Sequence, residues 1–113
     1  MFLTNHKGTK DMHVISRKKL IEFWKEYPKT KNALETFYTI MDKTNFSHFN
    51  HLKQAFPNVD QVGKCTIFDV GGNKVRVIAA IHYDSHKIYI RHILTHADYD
   101  KDKWKTECSQ RLH

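Results

Sequence analysis

Three side chains in the second half of the sequence have the chemistry to move protons or hold charge. His96 and Tyr99 stand three positions apart just beyond a long apolar run, and Arg76 follows a Gly71-Gly72-Asn73 segment with Lys74 two places before it. An unperturbed imidazole titrates nearer neutral pH than any other side chain, so His96 is the first choice for a general acid or base. The planar fork of Arg76 can grip an anion such as phosphate through two donors, and in an extended strand Lys74 shares its side. Tyr99 can stack on a ring, donate a hydrogen bond or serve as an acid beside cations. One proton-transfer group is worth roughly 10²–10⁴-fold in rate, so His96 has to act together with charge stabilisers. Each position also has a structural use: His96 could cap a turn, Arg76 could pair with Asp69 across a hairpin, Tyr99 could pack, and Lys74 could be solvated.

Other chemistries find less support. The nine histidines include His48 and His51, three apart on a possible helix, yet no HExxH or paired CxxC spacing accompanies them, so no metal ligands are assigned. Gly71-Gly72-Asn73 joins two strand-like runs with no helix behind it and reads as a tight turn, not a phosphate loop. Cys65 lies in a strand-like segment and Cys108 in a polar ending; a distant pair is no disulfide framework, and two free thiols are expected. No cofactor is implied.

These residues need a scaffold, and 113 residues suffice for one core. Hydrophobic residues at 40% and only four glycines and two prolines describe a packed domain. Lys and Arg outnumber Asp and Glu by 19 to 12, a formal charge of +7, which favours a polyanionic partner such as nucleic acid or an acidic protein segment. No apolar run is long enough to span a membrane and no leader opens the chain, so a soluble, cytoplasmic protein without membrane attachment is expected.

Residues 1–11 lack periodicity and read as a flexible extension. His13, Val14 and Ile15 suit a short strand, and Ser16 is placed as N-cap of a helix through Tyr27, with Leu20, Phe23, Trp24 and Tyr27 on one face and Pro28 as its stop. A second helix runs from about Lys31 to Lys43 on Ala33, Leu34, Phe37, Tyr38 and Met41, behind a possible Thr30 cap. Ser47 is placed as cap of a third carrying Phe49, Leu52 and Phe56, and residues 58–63 are read as loop. From Lys64 the period becomes two: a first strand with Phe68 and Val70, a return strand over residues 74–83, and a third over residues 87–95 in which His92 shares a face with Ile90 and Leu94 while Arg91 lies opposite. Helices before strands argue for an α+β fold, N-terminal helices packed on one face of an antiparallel β-sheet and the other face open to a ligand. One helical turn around Trp104 is possible, and residues 106–113 read as a flexible C-terminal tail.

The strand region reads Phe68-Asp69-Val70-Gly71-Gly72-Asn73-Lys74-Val75-Arg76-Val77-Ile78-Ala79, then Tyr89-Ile90-Arg91-His92-Ile93-Leu94-Thr95-His96-Ala97-Asp98-Tyr99-Asp100. Together with Met12-His13-Val14-Ile15-Ser16-Arg17-Lys18 and the pairs Phe23-Trp24, Tyr27-Pro28 and Phe56-Pro57, these segments resemble HigB-family toxins over residues 12–105. The resemblance implies a compact RelE-like domain and the toxin role of a type II toxin–antitoxin system. It further implies metal-independent endoribonuclease action on mRNA, commonly on the translating ribosome with the 30S A-site region as the suspected locus, and neutralisation by a HigA-type helix-turn-helix antitoxin. Such cleavage requires a base for the 2′-hydroxyl, an acid for the leaving 5′-oxygen and cations for the transition state, roles for which Arg76, His96 and Tyr99 are the candidate catalytic residues. Lys74, Arg91, Arg17 and Lys18 are the candidate RNA contacts; for the basic cluster Arg17, Lys18 and Lys19 a solvated helix end is an equal account. The alternative is an inhibitor that binds RNA or the ribosome without cutting. A DNA-binding module fits less well, because the basic first helix lacks the turn and recognition helix of a helix-turn-helix.

Overall fold

The alternating run after Lys64 builds the middle of a five-stranded sheet. In the computed structural model, residues 12–72 and 74–109 are described; the expected extension 1–11, Asn73 of the turn and residues 110–113 of the expected tail lie outside them. In chain order the elements are β1 (His13–Ile15), α1 (Arg17–Glu26), a 3₁₀ turn (Pro28–Thr30), α2 (Lys31–Lys43), α3 (Phe49–Ala55), β2 (Asp60–Val62), β3 (Cys65–Val70), β4 (Val75–His82), β5 (Lys87–Thr95), α4 (His96–Asp100) and α5 (Trp104–Ser109). The strands lie in the order β1-β5-β4-β3-β2, with β1 parallel to β5 and all other pairs antiparallel. This is an α+β fold. Among the described residues no helix is long and apolar enough to cross a membrane.

The helical periodicity is used as expected, except at Tyr27, which ends the first helix and is exposed. Leu20 of α1, Leu34, Phe37 and Met41 of α2 and Leu52 of α3 are buried against Phe68, Val70, Val75, Val77, Ala79, Ile88 and Ile90 of the sheet. Phe68 is the centre of this layer, meeting Phe37 and Phe56 edge-on at centroid distances of 4.9 and 5.1 Å.

The helix starts differ from expectation. Ser16 has a left-handed backbone (φ 78°) and makes no side-chain cap. Neither does Thr30, whose hydroxyl donates to the Tyr27 carbonyl at 2.7 Å. The third helix is capped by His48, not Ser47: the imidazole Nδ1 of His48 accepts from the backbone N–H of His51 at 3.2 Å. Residues 58–63 are not all loop, because Asp60–Val62 pairs with β3 as an edge strand.

Two corrections matter for the site. The second sheet face is not open: Cys65, Ile67 and Ile78 are covered by Trp104 and Cys108 of α5, with Val62, Leu94 and Tyr99 packed around them. The cysteines are not free either, since Cys65 and Cys108 form a disulfide with Cα atoms 5.3 Å apart. Residues 106–109, expected in the tail, thus belong to a helix fixed to β3. Gly63 is what lets it sit so close: its φ is +58°, and a Cβ there would collide with the Cys108 carbonyl oxygen, which accepts from the Lys64 N–H at 3.1 Å.

Candidate functional site

Arg76 and Tyr99 meet on this second face. The β3–β4 register sets Asp69 opposite Arg76, and the Arg76 Nη1 donates to Asp69 Oδ1 at 3.2 Å, with side-chain exposures of 13% and 20%. The guanidinium carbon lies 4.8 Å from the centroid of the Tyr99 ring. Tyr99 in turn stacks on Trp104, centroids 4.9 Å apart and planes 13° from parallel, and the Trp104 indole N–H donates to the Tyr99 carbonyl at 3.0 Å. A cation on a two-ring stack is an arrangement whose face attraction strengthens when it is partly desolvated. The hairpin pairing with Asp69 and a functional use of Arg76 therefore coexist.

His96 opens α4, which is positioned by Thr95: its hydroxyl oxygen accepts from the Asp98 N–H at 3.2 Å as the N-cap. The His96 Nε2 lies 3.3 Å from Asp100 Oδ2, both side chains at least half exposed. His96 and Tyr99 share this single short helix, with the imidazole beside Asp100. Val75 pairs with Thr95, so Lys74 and His96, each one step beyond that pair, stand at the same end of the β4–β5 ladder. Lys74 is exposed there.

The remaining basic candidates separate into two groups. Arg17 and Lys18 belong to the helical layer, on the other side of the sheet from Arg76. Arg17 stacks over Tyr38 at 4.6 Å, and Lys18 makes a solvent-exposed pair with Glu22 at 3.7 Å. Arg91 lies on β5, where the pairing slips: Ile78 faces His92 but Ala79 faces Ile90, which leaves Arg91 as an extra residue. The bulge overturns the expected alternation. His92 now shares the α5 side with Leu94 instead of the side of Ile90, and both Arg91 and His92 reach one carboxylate, Glu107. The His92 hydrogen bond is the largest influence on the Glu107 carboxyl; burial pushes upward against it, and the charges of His92 and Arg91 with the Arg91 hydrogen bond leave it below the usual glutamate range.

Sequence reasoning missed Trp104 and Glu107 as site residues. The available signal was the i, i+4 spacing of Trp104 and Cys108, which places both on one helical face.

Residues 30–102 match the HigB toxin family, described as the RelE-like toxic component of a toxin–antitoxin system. The chain is 39% identical over 93 residues to the mRNA interferase HigB of Escherichia coli O6:H1, covering 80% of this chain and 90% of that protein. It is 37% identical over 92 residues to the mRNA interferase toxin HigB of Escherichia coli K12 and to the mRNA interferase HigB of Shigella flexneri, covering 79% of this chain and 88% of each.

Proposed function

Because this chain belongs to the HigB family of RelE-like toxins of toxin–antitoxin systems, we propose that it is an mRNA endoribonuclease whose reaction centre is built on Arg76, Tyr99 and His96. The observation that carries this reading is the Arg76–Tyr99–Trp104 stack at the mouth of α4, the helix that also bears His96. A substrate phosphate competes with Asp69 for the Arg76 guanidinium, and the charge that grows on the phosphate during attack tilts the competition toward RNA. In the step itself the 2′-oxygen bonds to phosphorus while the bond to the 5′-oxygen breaks. The 2′-hydroxyl proton passes to a base and a second proton is delivered to the leaving oxygen. Asp100 lies 3.3 Å from His96 Nε2 at an exposed position, which leaves the imidazole accessible to substrate. Tyr99, its ring held between Arg76 and Trp104, offers its hydroxyl to the phosphate. Lys74 and Arg91 extend the cationic path on this face, and Arg17 and Lys18 supply contacts from the helical side.

As a toxin component the chain has mRNA as substrate and an antitoxin as partner. The finer reading is a HigA-type helix-turn-helix antitoxin and action in the cytoplasm on the translating ribosome, at the 30S A site; the net charge of +7 suits an RNA-rich surface.

Primer extension on a reporter mRNA, in a reconstituted translation reaction with ribosomes present or omitted, tests the assignment. Wild type generates new 5′ ends only with ribosomes, and Arg76→Ala and His96→Ala each lose roughly 10²-fold or more of that cleavage. Translation arrest with intact mRNA replaces the enzyme by a non-cleaving RNA-binding inhibitor.

A further inference from the structure

Away from the Arg76–Tyr99 stack, the second face carries another concentration of cations around a single anion. Arg91 Nη1 donates to Glu107 Oε2 at 2.8 Å, and His92 Nε2 lies 2.8 Å from Glu107 Oε1. Both oxygens of one carboxylate are engaged, one by an arginine and one by a histidine, the way two non-bridging oxygens of a phosphodiester are held. The three side chains are 38–39% exposed, so the site is open to a competing anion. Lys19 of α1 reaches the same place, its Nζ donating to the Arg91 carbonyl at 3.0 Å. These groups line a cleft of about 470 Å³ together with His82 and Tyr89, whose rings meet edge-on at 5.1 Å. The cleft therefore combines fixed positive charge with an aromatic wall, the two requirements for single-stranded nucleic acid.

Its position fits a strand of substrate. Arg76 pairs with Leu94 and Ile78 with His92, so the Arg91–His92 site lies two residues along the ladder from Arg76, about 7 Å. That is on the scale of one nucleotide of extended backbone. The β5 bulge is what turns both Arg91 and His92 toward this cleft.

We propose that Arg91 and His92, with Lys19 beside them, form a second phosphodiester subsite for single-stranded RNA, which the Glu107 carboxylate occupies as an internal stand-in until RNA displaces it. This rests on the reading that the substrate is RNA, but not on which residues cut it. The lowered protonation range of Glu107 agrees, since the surroundings favour an anion there. Because Cys108, the next residue, is bonded to Cys65, displacement of Glu107 needs only a rotation of its side chain and leaves α5 in place.

The test uses the full chain and a 2′-O-methyl hexaribonucleotide, which binds without offering the 2′-hydroxyl nucleophile, read by fluorescence anisotropy across a salt series. Glu107→Gln keeps the shape and removes the charge. It is expected to bind about tenfold tighter. It should also steepen the plot of log affinity against log salt by about 0.7, the value for one more phosphate neutralised on a single strand. Adding Arg91→Ala to Glu107→Gln should abolish both gains, and Glu107→Asp, which keeps the charge, should stay near wild type. Wild-type binding with no gain in a folded Glu107→Gln protein overturns the subsite and leaves the RNA reading standing. Absence of binding in every protein also overturns the subsite, and the RNA reading then stands or falls on the primer-extension result.

Discussion

On one face of the sheet, α1, α2 and α3 bury a continuous apolar layer in which Phe68 is fully enclosed by Phe37 and Phe56. On the other, the buried cluster among the described residues is Cys65, Ile67, Ile78, Trp104 and Cys108, held by a disulfide, a ring stack and a carboxylate between an arginine and a histidine. The first face is secured by area, which is insensitive to charge and redox conditions. The second is secured by a few bonds of specific chemistry, and every candidate catalytic group lies on it or at its rim. A face proposed to admit a charged ligand cannot be sealed by apolar helices, and here the covering elements are short and linked by specific bonds.

The comparison can be broken at three points. Phe68→Ala should cost about 3–5 kcal/mol, because the Phe37 and Phe56 rings lose their shared partner. Urea unfolding in the presence and absence of dithiothreitol should show the same loss. The double change Cys65→Ser with Cys108→Ser should cost about 2–4 kcal/mol, the range for removing a cross-link. Here dithiothreitol should reproduce the effect in wild type and add nothing to the variant; equal stability of the two proteins without reductant would remove the disulfide from the account of this face. The smallest effect is that of pH at Glu107. Its carboxyl is held below the ordinary range, so its contribution is present above that range and is lost as pH falls through the lowered one. The urea midpoint of wild type should exceed that of Glu107→Gln near neutrality, and the difference should vanish in acid. A difference that persists in acid would mean that Glu107 stabilises by packing.

Much of the helix-covered face was legible. Leu20 with Phe23 and Trp24, and Leu34 with Phe37 and Met41, announce their helices by spacing alone, and the alternation of Phe68, Val70, Val75 and Val77 announces the strands. The edge strand Asp60–Val62 was not, because two of its three residues are polar and exposed and its pairing is imposed by Cys65 and its neighbours. On the second face Arg76 and Tyr99 could be named, and the Asp69 pairing foreseen, since a hairpin brings near neighbours in sequence together. The disulfide could not be foreseen: its two cysteines are 43 positions apart, and only the return of α5 onto β3 makes them adjacent. The parity of His92 failed for a different reason. A single extra residue at Arg91 moves everything beyond it to the other side, and nothing in the residue types marks where a ladder slips.

The bond between Cys65 and Cys108 also divides the chain mechanically. It closes a ring that contains β3, β4, β5 and α4, and with them Asp69, Arg76, Arg91, His92, His96, Tyr99 and Glu107, while α1, α2 and α3 remain outside. Tension applied between the two ends passes from sulfur to sulfur and bypasses that ring. A machine that unravels the molecule by pulling can draw out the helical layer, yet the strands bearing the candidate site stay slack until the two sulfurs are reduced.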